Sequence, residues 1–329
     1  MNRRLIIRVL GAILLVEAAA MIPALLVSLV YNDGDTAVLG LSILIVSFIG
    51  TLMMMLPPPL PGSHLRLKEG FIITAVGWIF LGVFGAVPFM LSGIIPRFEE
   101  AFFETVSGLT TTGASIVTSD KFDVFPRGLM FWRATTHWIG GMGVLVLTLA
   151  LLPKLTGRTA HLVKAESPGP SLSKLVPKTG TTAKILYRIY IVLSLIEFFI
   201  LLLCGLNPYE AAVHTMATAG TGGFSCYGDS IKAFSNKEMF PHVNGLAVDI
   251  SITVFMFMFG VNFALYYRFL IGERFKAFFR DEEFRWYFIL AIGFIILVSF
   301  INLGHYNGDF LTSLRYGSFY SCKIPLVSV

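Results

Sequence analysis

Apolar and polar positions in this chain fall into blocks instead of alternating with the period of a soluble helix or strand. Apolar runs occupy residues 5–30, 38–57, 71–95, 127–153, 185–206, 246–267 and 286–303, divided by stretches rich in charge, Pro and Gly. Runs of about 20 apolar residues have the length that carries a helix across a bilayer. The pattern therefore predicts an all-α integral membrane protein with seven spans. Two dividing stretches stand apart: "ETVSGLTTTGASIVTSD" (104–120) and "HTMATAGTGGFSCYGDS" (214–230). Each sits in a connection of about 30–40 residues, far beyond the usual loop.

The two connections share one register. Glu100 opens the first and Glu210 the second, and at a constant offset of 110 the pairs Ala101/Ala211, Thr105/Thr215, Thr111/Thr221, Gly113/Gly223 and Ser115/Ser225 coincide. Such agreement is an internal repeat, and its unit reads as span, short amphiphilic helix, Thr/Gly stretch, span. The short helix cannot cross, so it enters from one side and returns as extended chain. Non-helical backbone at membrane depth survives only where protein buries it or water fills the space beside it.

That placement gives the Thr/Gly stretches a chemistry. Extended backbone after a half-helix turns carbonyls toward a pore, where they replace the hydration shell of a potassium ion. Gly admits the required conformations, and the carbonyl end of the half-helix presents its negative dipole to the ion. An outer-surface turn or a small-residue packing seam is the competing reading of one copy; two copies in matched positions favour the pore.

Composition agrees with the blocks and narrows the classes. Of 329 residues, 55% are hydrophobic and 14% charged, with a mean hydropathy of +0.76, against roughly 25% charged in soluble chains. The basic residues cluster between spans, at Arg3, Arg4 and Arg8, at Arg66 and Lys68, from Lys154 to Arg188, and from Arg268 to Arg285. By the positive-inside rule these segments are cytoplasmic. The N-terminus is then inside and both repeats lie on the outer side. The basic excess reads as a rim at the lipid headgroups, not as a nucleic-acid surface. The first run exceeds a typical signal core and no small-residue cleavage site follows it, so it reads as a retained anchor. Cys204, Cys226 and Cys322 are scattered and indicate neither a disulfide framework nor a zinc site.

Several ionisable residues fall inside or beside spans, where such groups are functional candidates. Arg133 and His137 stand four residues apart on one helix face. One reading makes them functional; the weightier one has Arg133 anchoring the short helix through Glu100 or Glu104. Glu17 and Glu197 read as helix-to-helix hydrogen-bonding groups, with a proton relay as the rival. Gly140, Gly141 and Gly143 serve either a hinge or close helix packing. An enzyme built on His137, Glu104 and His214 has no nucleophile–base motif or metal spacing behind it, so no enzyme is expected.

"FFETVSGLTTTGAS", "FWRATTHWIGGMGVLVLTLALLPKL" (131–155), "TAGTGGFS" and "GVNFALYYRFL" (260–270) together resemble the Trk/Ktr/HKT potassium transporter superfamily, in its bacterial Trk branch, over residues 1 to about 319. The resemblance implies four helix, pore-helix, filter-strand, helix units around one axis. It divides the chain into an N-terminal helix pair (1–68), a first pore unit (69–155), a cytoplasmic loop (156–183), a second pore unit (184–272) and a partial third (273–329). It also implies a selectivity filter for K+ made by Thr110, Thr111, Thr112 and Gly113 with Gly220, Thr221, Gly222 and Gly223. Glu104, Arg133, His137, Gly140, Gly141, Gly143 and Asn262 become structural or gating candidates. One signature Gly per unit suits a relaxed preference for K+ over Na+, and a negative-inside potential favours uptake by about 2.3 kcal/mol per charge per 100 mV. Na+ and H+ both stay open as coupled ion. The implied setting is the bacterial inner membrane, the partners being a second copy, membrane lipid, and a cytosolic ring of nucleotide-binding regulatory subunits, docking near His161 and the Lys-rich 154–184 loop. No ATP-binding loop occurs in the chain itself.

A third unit begins at "EFRWYFILAIGFIILVSFINL" and continues into "DFLTSLRYGSF", expected as its pore helix. After Phe319 the tail "YSCKIPLVSV" departs from the family pattern, so the sequence reads as a truncated version of the transporter. Transport by this chain or a non-transporting scaffold that binds the regulatory subunit are then the two competing outcomes.

Overall fold

The structure is a computed structural model that describes residues 3–55, 67–143, 179–270, 278, 281–304 and 309–323. The described residues are helical, without strands, and divide into two compact units, Met1–Tyr187 and Arg188–Val329. Five helical segments are long and apolar enough to cross a membrane: Arg3–Tyr31, Thr36–Met54, Lys68–Leu91, Lys184–Leu203 and Glu282–Gly304. This is an integral membrane protein.

In the first unit, α1 (Arg3–Tyr31) and α2 (Thr36–Met54) form a hairpin. Its closeness has a local cause: a Cβ on Gly11 would lie 2.7 Å from the Gly50 carbonyl oxygen, and one on Gly50 would lie 3.0 Å from that of Gly11. Small residues facing each other let two backbones touch where lipid supplies no hydrophobic drive. The other side of α1 packs on α3 (Leu67–Gly85) and on α6 (Arg127–Gly141), burying Leu10, Ile13, Leu14 and Met21. A short α4 (Val87–Leu91) leads to α5 (Phe98–Leu109), which lies against α3 and α6. Trp132 of α6, fully buried, donates its indole N–H to the Gly85 carbonyl at 2.9 Å.

α6 starts without a cap of its own: Pro126 precedes it and offers no side chain to the first turn. The cap comes from the α1–α2 turn. Asp35 Oδ2 accepts the Leu129 N–H at 2.9 Å and Asp33 Oδ2 the Arg127 N–H at 3.1 Å. Carboxylates at a helix N-terminus meet both its orphan N–H groups and its positive dipole end. Ser28 and Thr36 secure this turn, Ser28 donating to Asp35 and sharing a 2.8 Å bond with Thr36.

The second unit begins within α7 (Thr179–Leu203), which leads into α8 (Pro208–Ala219), then α9 (Gly245–Phe259) and α10 (Phe263–Arg268). The run 246–267, expected as one span, is broken at Gly260–Asn262. Gly260 ends α9 and the Asn262 side chain caps α10 by accepting the Ala264 N–H at 3.0 Å. Tyr287 occupies the notch, its hydroxyl oxygen within 2.3 Å of where a Gly260 Cβ would stand. The core gathers Leu201, Leu206, Phe234, Val248, Ile252 and Met256. α11 (Glu282–Ile301) and α12 (Phe310–Lys323) follow as a second hairpin, α12 being helical where "DFLTSLRYGSF" stands and running four residues past Phe319. The exposed Asp309 carboxylate, held below the usual range by bonds from the Thr312 hydroxyl and N–H, caps α12. Asp249 of α9, 2% exposed, pairs with Arg315 of α12.

The expected span 127–153 is helical through Gly141; residues 144–153, His161 and most of the 154–184 loop lie outside the described residues, as does the tail from residue 324.

Candidate functional site

α5 and α8 are each 12 residues long, or about 18 Å at 1.5 Å per residue, too short to span. Their N-termini differ: α5 follows Arg97, which makes no side-chain cap bond, whereas α8 is capped. On α8, Asn207 and Glu210 form a reciprocal capping box, Asn207 Oδ1 accepting the Glu210 N–H at 2.9 Å and Glu210 Oε2 the Asn207 N–H at 3.1 Å. The two helices then end in the same motif.

At the end of α5, the N–H of Thr111 donates to the Gly108 carbonyl (2.9 Å) and that of Thr112 to the Ser107 carbonyl (3.0 Å). At the end of α8, Thr221 donates to Thr218 (2.7 Å) and Gly222 to Ala217 (3.3 Å), each 110 residues on. This pair of reversed bonds is the Schellman termination, which needs a left-handed residue just past the cap and usually employs Gly. Here Thr stands in both copies: Thr111 and Thr221 have φ of 57°. A β-branched residue in that region is an outlier, and such strain collects at functional sites. Two residues later the chain turns left-handed again, at Gly113 (φ 72°) and Gly223 (φ 71°).

The bonding pattern sorts the backbone polar groups. The N–H groups of Thr110 to Gly113 all point back to carbonyls of residues 106–108, and those of Gly220 to Gly223 to carbonyls of 216–218. None of the eight carbonyls of these two stretches accepts a hydrogen bond among the described residues. Backbone with satisfied donors and unspent acceptors can offer its carbonyls to a cation.

Behind the first stretch stands Glu104. Its Oε1 accepts from Ser115 Oγ at 2.9 Å and from Arg133 Nε at 2.6 Å, and its Oε2 accepts the Ile116 N–H at 3.0 Å. Of the two partners weighed for Arg133, the structure selects Glu104; Glu100 pairs instead with Arg97 at 3.2 Å, in the open. His137, one turn beyond Arg133, is fully buried, its ring 3.4 Å from where a Gly108 Cβ would sit. Gly140 is a packing residue: a Cβ there would stand 2.1 Å from the Leu109 carbonyl oxygen. Gly141 ends α6, and Gly143, at φ 76°, follows its cap. Asn262 lies apart from these residues in sequence, at the α9–α10 break, donating to Glu283 at 3.1 and 3.3 Å.

Behind the second stretch the place of Glu104 is taken by His214, whose Nε2 lies 3.0 Å from Ser225 Oγ. Sequence reasoning singled out His214 only as a poor catalytic candidate; the shared offset was the signal that could have assigned it. Glu17, expected to hydrogen-bond between helices, is buried with no partner for either oxygen among the described residues, against Gly85.

Comparison with known proteins places these features. The family model described as TrkH, a cation transport protein, matches residues 43–307. The Trk system potassium uptake protein TrkH of Halomonas elongata is 34% identical over 91% of this chain and 60% of its own length. That of Escherichia coli K12 is 33% identical over 92% and 60%. The crystal structure of the potassium transporter TrkH from Vibrio parahaemolyticus superposes with a TM-score of 0.79 at 26% identity, covering 98% of this chain and 64% of that one. The chain thus spans about 60% of the length of these curated relatives. With both Thr/Gly stretches and the helices around them inside the matched region, the chain belongs to the TrkH family of cation transport proteins.

Proposed function

We propose that the chain is the ion-conducting subunit of a Trk-type potassium uptake system of the bacterial inner membrane, passing K+ along the carbonyls of Thr110 to Gly113 and Gly220 to Gly223. The observation that carries the reading is the matched sorting of backbone groups: donors tied to the half-helix, eight acceptors left over. Carbonyl oxygens at that density replace water around K+, and the half-helix carbonyl ends favour a cation. A second copy of the chain and a cytosolic nucleotide-binding regulatory ring are the proposed partners, and the coupled ion is Na+ or H+. A scaffold that binds the regulatory ring without conducting is the second reading.

The test is Rb+ uptake in bacterial cells stripped of their own K+ uptake systems, with the regulatory subunit co-expressed. Saturable uptake that is lost on Gly113→Ala and Gly223→Ala supports conduction. No uptake together with retained ring binding supports the scaffold.

A further inference from the structure

The two filter stretches are held from behind at one repeat position by chemically different side chains. Glu104 grips the first through three bonds, to the Ser115 hydroxyl, the Ile116 N–H and Arg133. His214, 110 residues on, faces the second, with Ser225 standing where Ser115 stands. The ring's state follows from its neighbours. Nδ1 lies 2.8 Å from the Glu210 carbonyl oxygen, which only accepts, so Nδ1 carries a proton. In a neutral ring protonated there Nε2 only accepts, so the Ser225 hydroxyl, whose oxygen accepts the Tyr227 N–H at 3.1 Å, donates to it. The ring is 2% exposed and packs edge-on to Phe234 at 5.0 Å, a setting where a neutral imidazole is cheaper than a cation.

We propose that His214 is the positioning residue of the second filter stretch, and that its reach to Ser225 sets how well that stretch distinguishes K+ from Na+. Discrimination rests on the transport reading; the positioning role does not. The first stretch is clamped by a carboxylate inside an ion pair, whereas the same repeat position behind the second offers a neutral imidazole. Asn at 214 preserves the bond near Nδ1 but falls short of Ser225, whereas the longer Gln amide reaches it.

The experiment has two arms. In the first, the full chain is labelled with 15N-histidine and reconstituted in lipid nanodiscs, the His214 ring being assigned by its loss in His214→Gln. The expected signal is a neutral ring protonated at Nδ1, with an Nε2 resonance that moves in Ser225→Ala. A ring protonated at Nε2, or one indifferent to Ser225→Ala, overturns the positioning role. In the second arm, Na+ competition against Rb+ uptake is expected to strengthen about fivefold in His214→Asn and Ser225→Ala, as for one lost neutral hydrogen bond, and to stay near wild type in His214→Gln. Equal behaviour of Asn and Gln overturns the discrimination role. Absence of Rb+ uptake in the unaltered chain overturns the transport reading and the discrimination role with it, while the ring signal still decides the positioning role.

Discussion

Arg133 Nε donates to Glu104 Oε1 at 2.6 Å, with the two side chains only 2% and 0% exposed. The same carboxylate receives the Ser115 hydroxyl and the Ile116 N–H at the far end of the first Thr/Gly stretch. One ion pair therefore ties α6, α5 and the stretch together. Arg133 is in turn carried by a helix whose first turn is capped by Asp33 and Asp35 from the N-terminal hairpin. The helix pair outside the repeat is thus linked to the first Thr/Gly stretch through a short chain of named contacts.

Breaking this pair from one side strands a buried charge. Arg133→Met and Glu104→Gln are each expected to lower stability by about 3–5 kcal/mol, measured as unfolding in detergent micelles. The double variant should cost clearly less than the sum, because it removes both partners. Additive losses would show that the two side chains do not depend on each other.

The cap on α6 can be tested apart from the pair. Asp35→Ala removes the acceptor for Leu129 N–H and is expected to cost about 1–2 kcal/mol. Hydrogen exchange should speed up at Leu129 and the rest of the first turn of α6, while the α8 amides keep their rates. Unchanged protection at Leu129 would refute the cap.

Five of the spans, the short helices and the repeat were legible because each writes itself locally: long apolar runs, a 110-residue offset, and Thr and Gly after an amphiphilic segment. Arg133 against Glu104 was half legible, since Glu100 stood as an equal candidate, and only the helix-face geometry of α5 separates them. The cap by Asp33 and Asp35 was not, because the partners stand 94 positions apart and no local pattern links a turn to a distant helix start. Nor was the break at Gly260–Asn262, where hydropathy runs on unbroken while an Asn side chain stops one helix and starts the next. The left-handed Thr111 and Thr221 were hidden by propensity itself, which assigns that conformation to Gly.

Helix contact beside the first Thr/Gly stretch predicts a contrast between two glycines. Gly140→Ala drives a methyl group to 2.1 Å from the Leu109 carbonyl oxygen, backbone that cannot swing aside. Overpacking of this kind costs about 1–3 kcal/mol and displaces the residue next to Thr110. Gly40→Ala meets nothing within 4 Å and is expected to leave stability unchanged or raise it by up to about 1 kcal/mol. Thermal unfolding of both variants decides it, and equal destabilisation would mean that α5 and α6 do not meet at Gly140.

Strain at Thr111 and Thr221 makes the last expectation run opposite to most mutations. Both residues hold φ at 57°, a conformation that costs an L-residue about 1–2 kcal/mol and costs Gly almost nothing. Part of the gain returns to the unfolded chain, whose freedom Gly increases. Thr111→Gly and Thr221→Gly should therefore each be neutral to mildly stabilising, by up to about 1 kcal/mol, where an ordinary Thr→Gly change at a helix end destabilises. Ion discrimination should fall in the same variants, because the branched side chain that stiffens the turn beside the carbonyls is gone. Unfolding and Rb+/Na+ competition on the same preparations separate the two effects: a variant that loses stability and keeps discrimination would show that the left-handed Thr is only a tolerated helix ending and that the filter takes its shape from Gly113 and Gly223 alone.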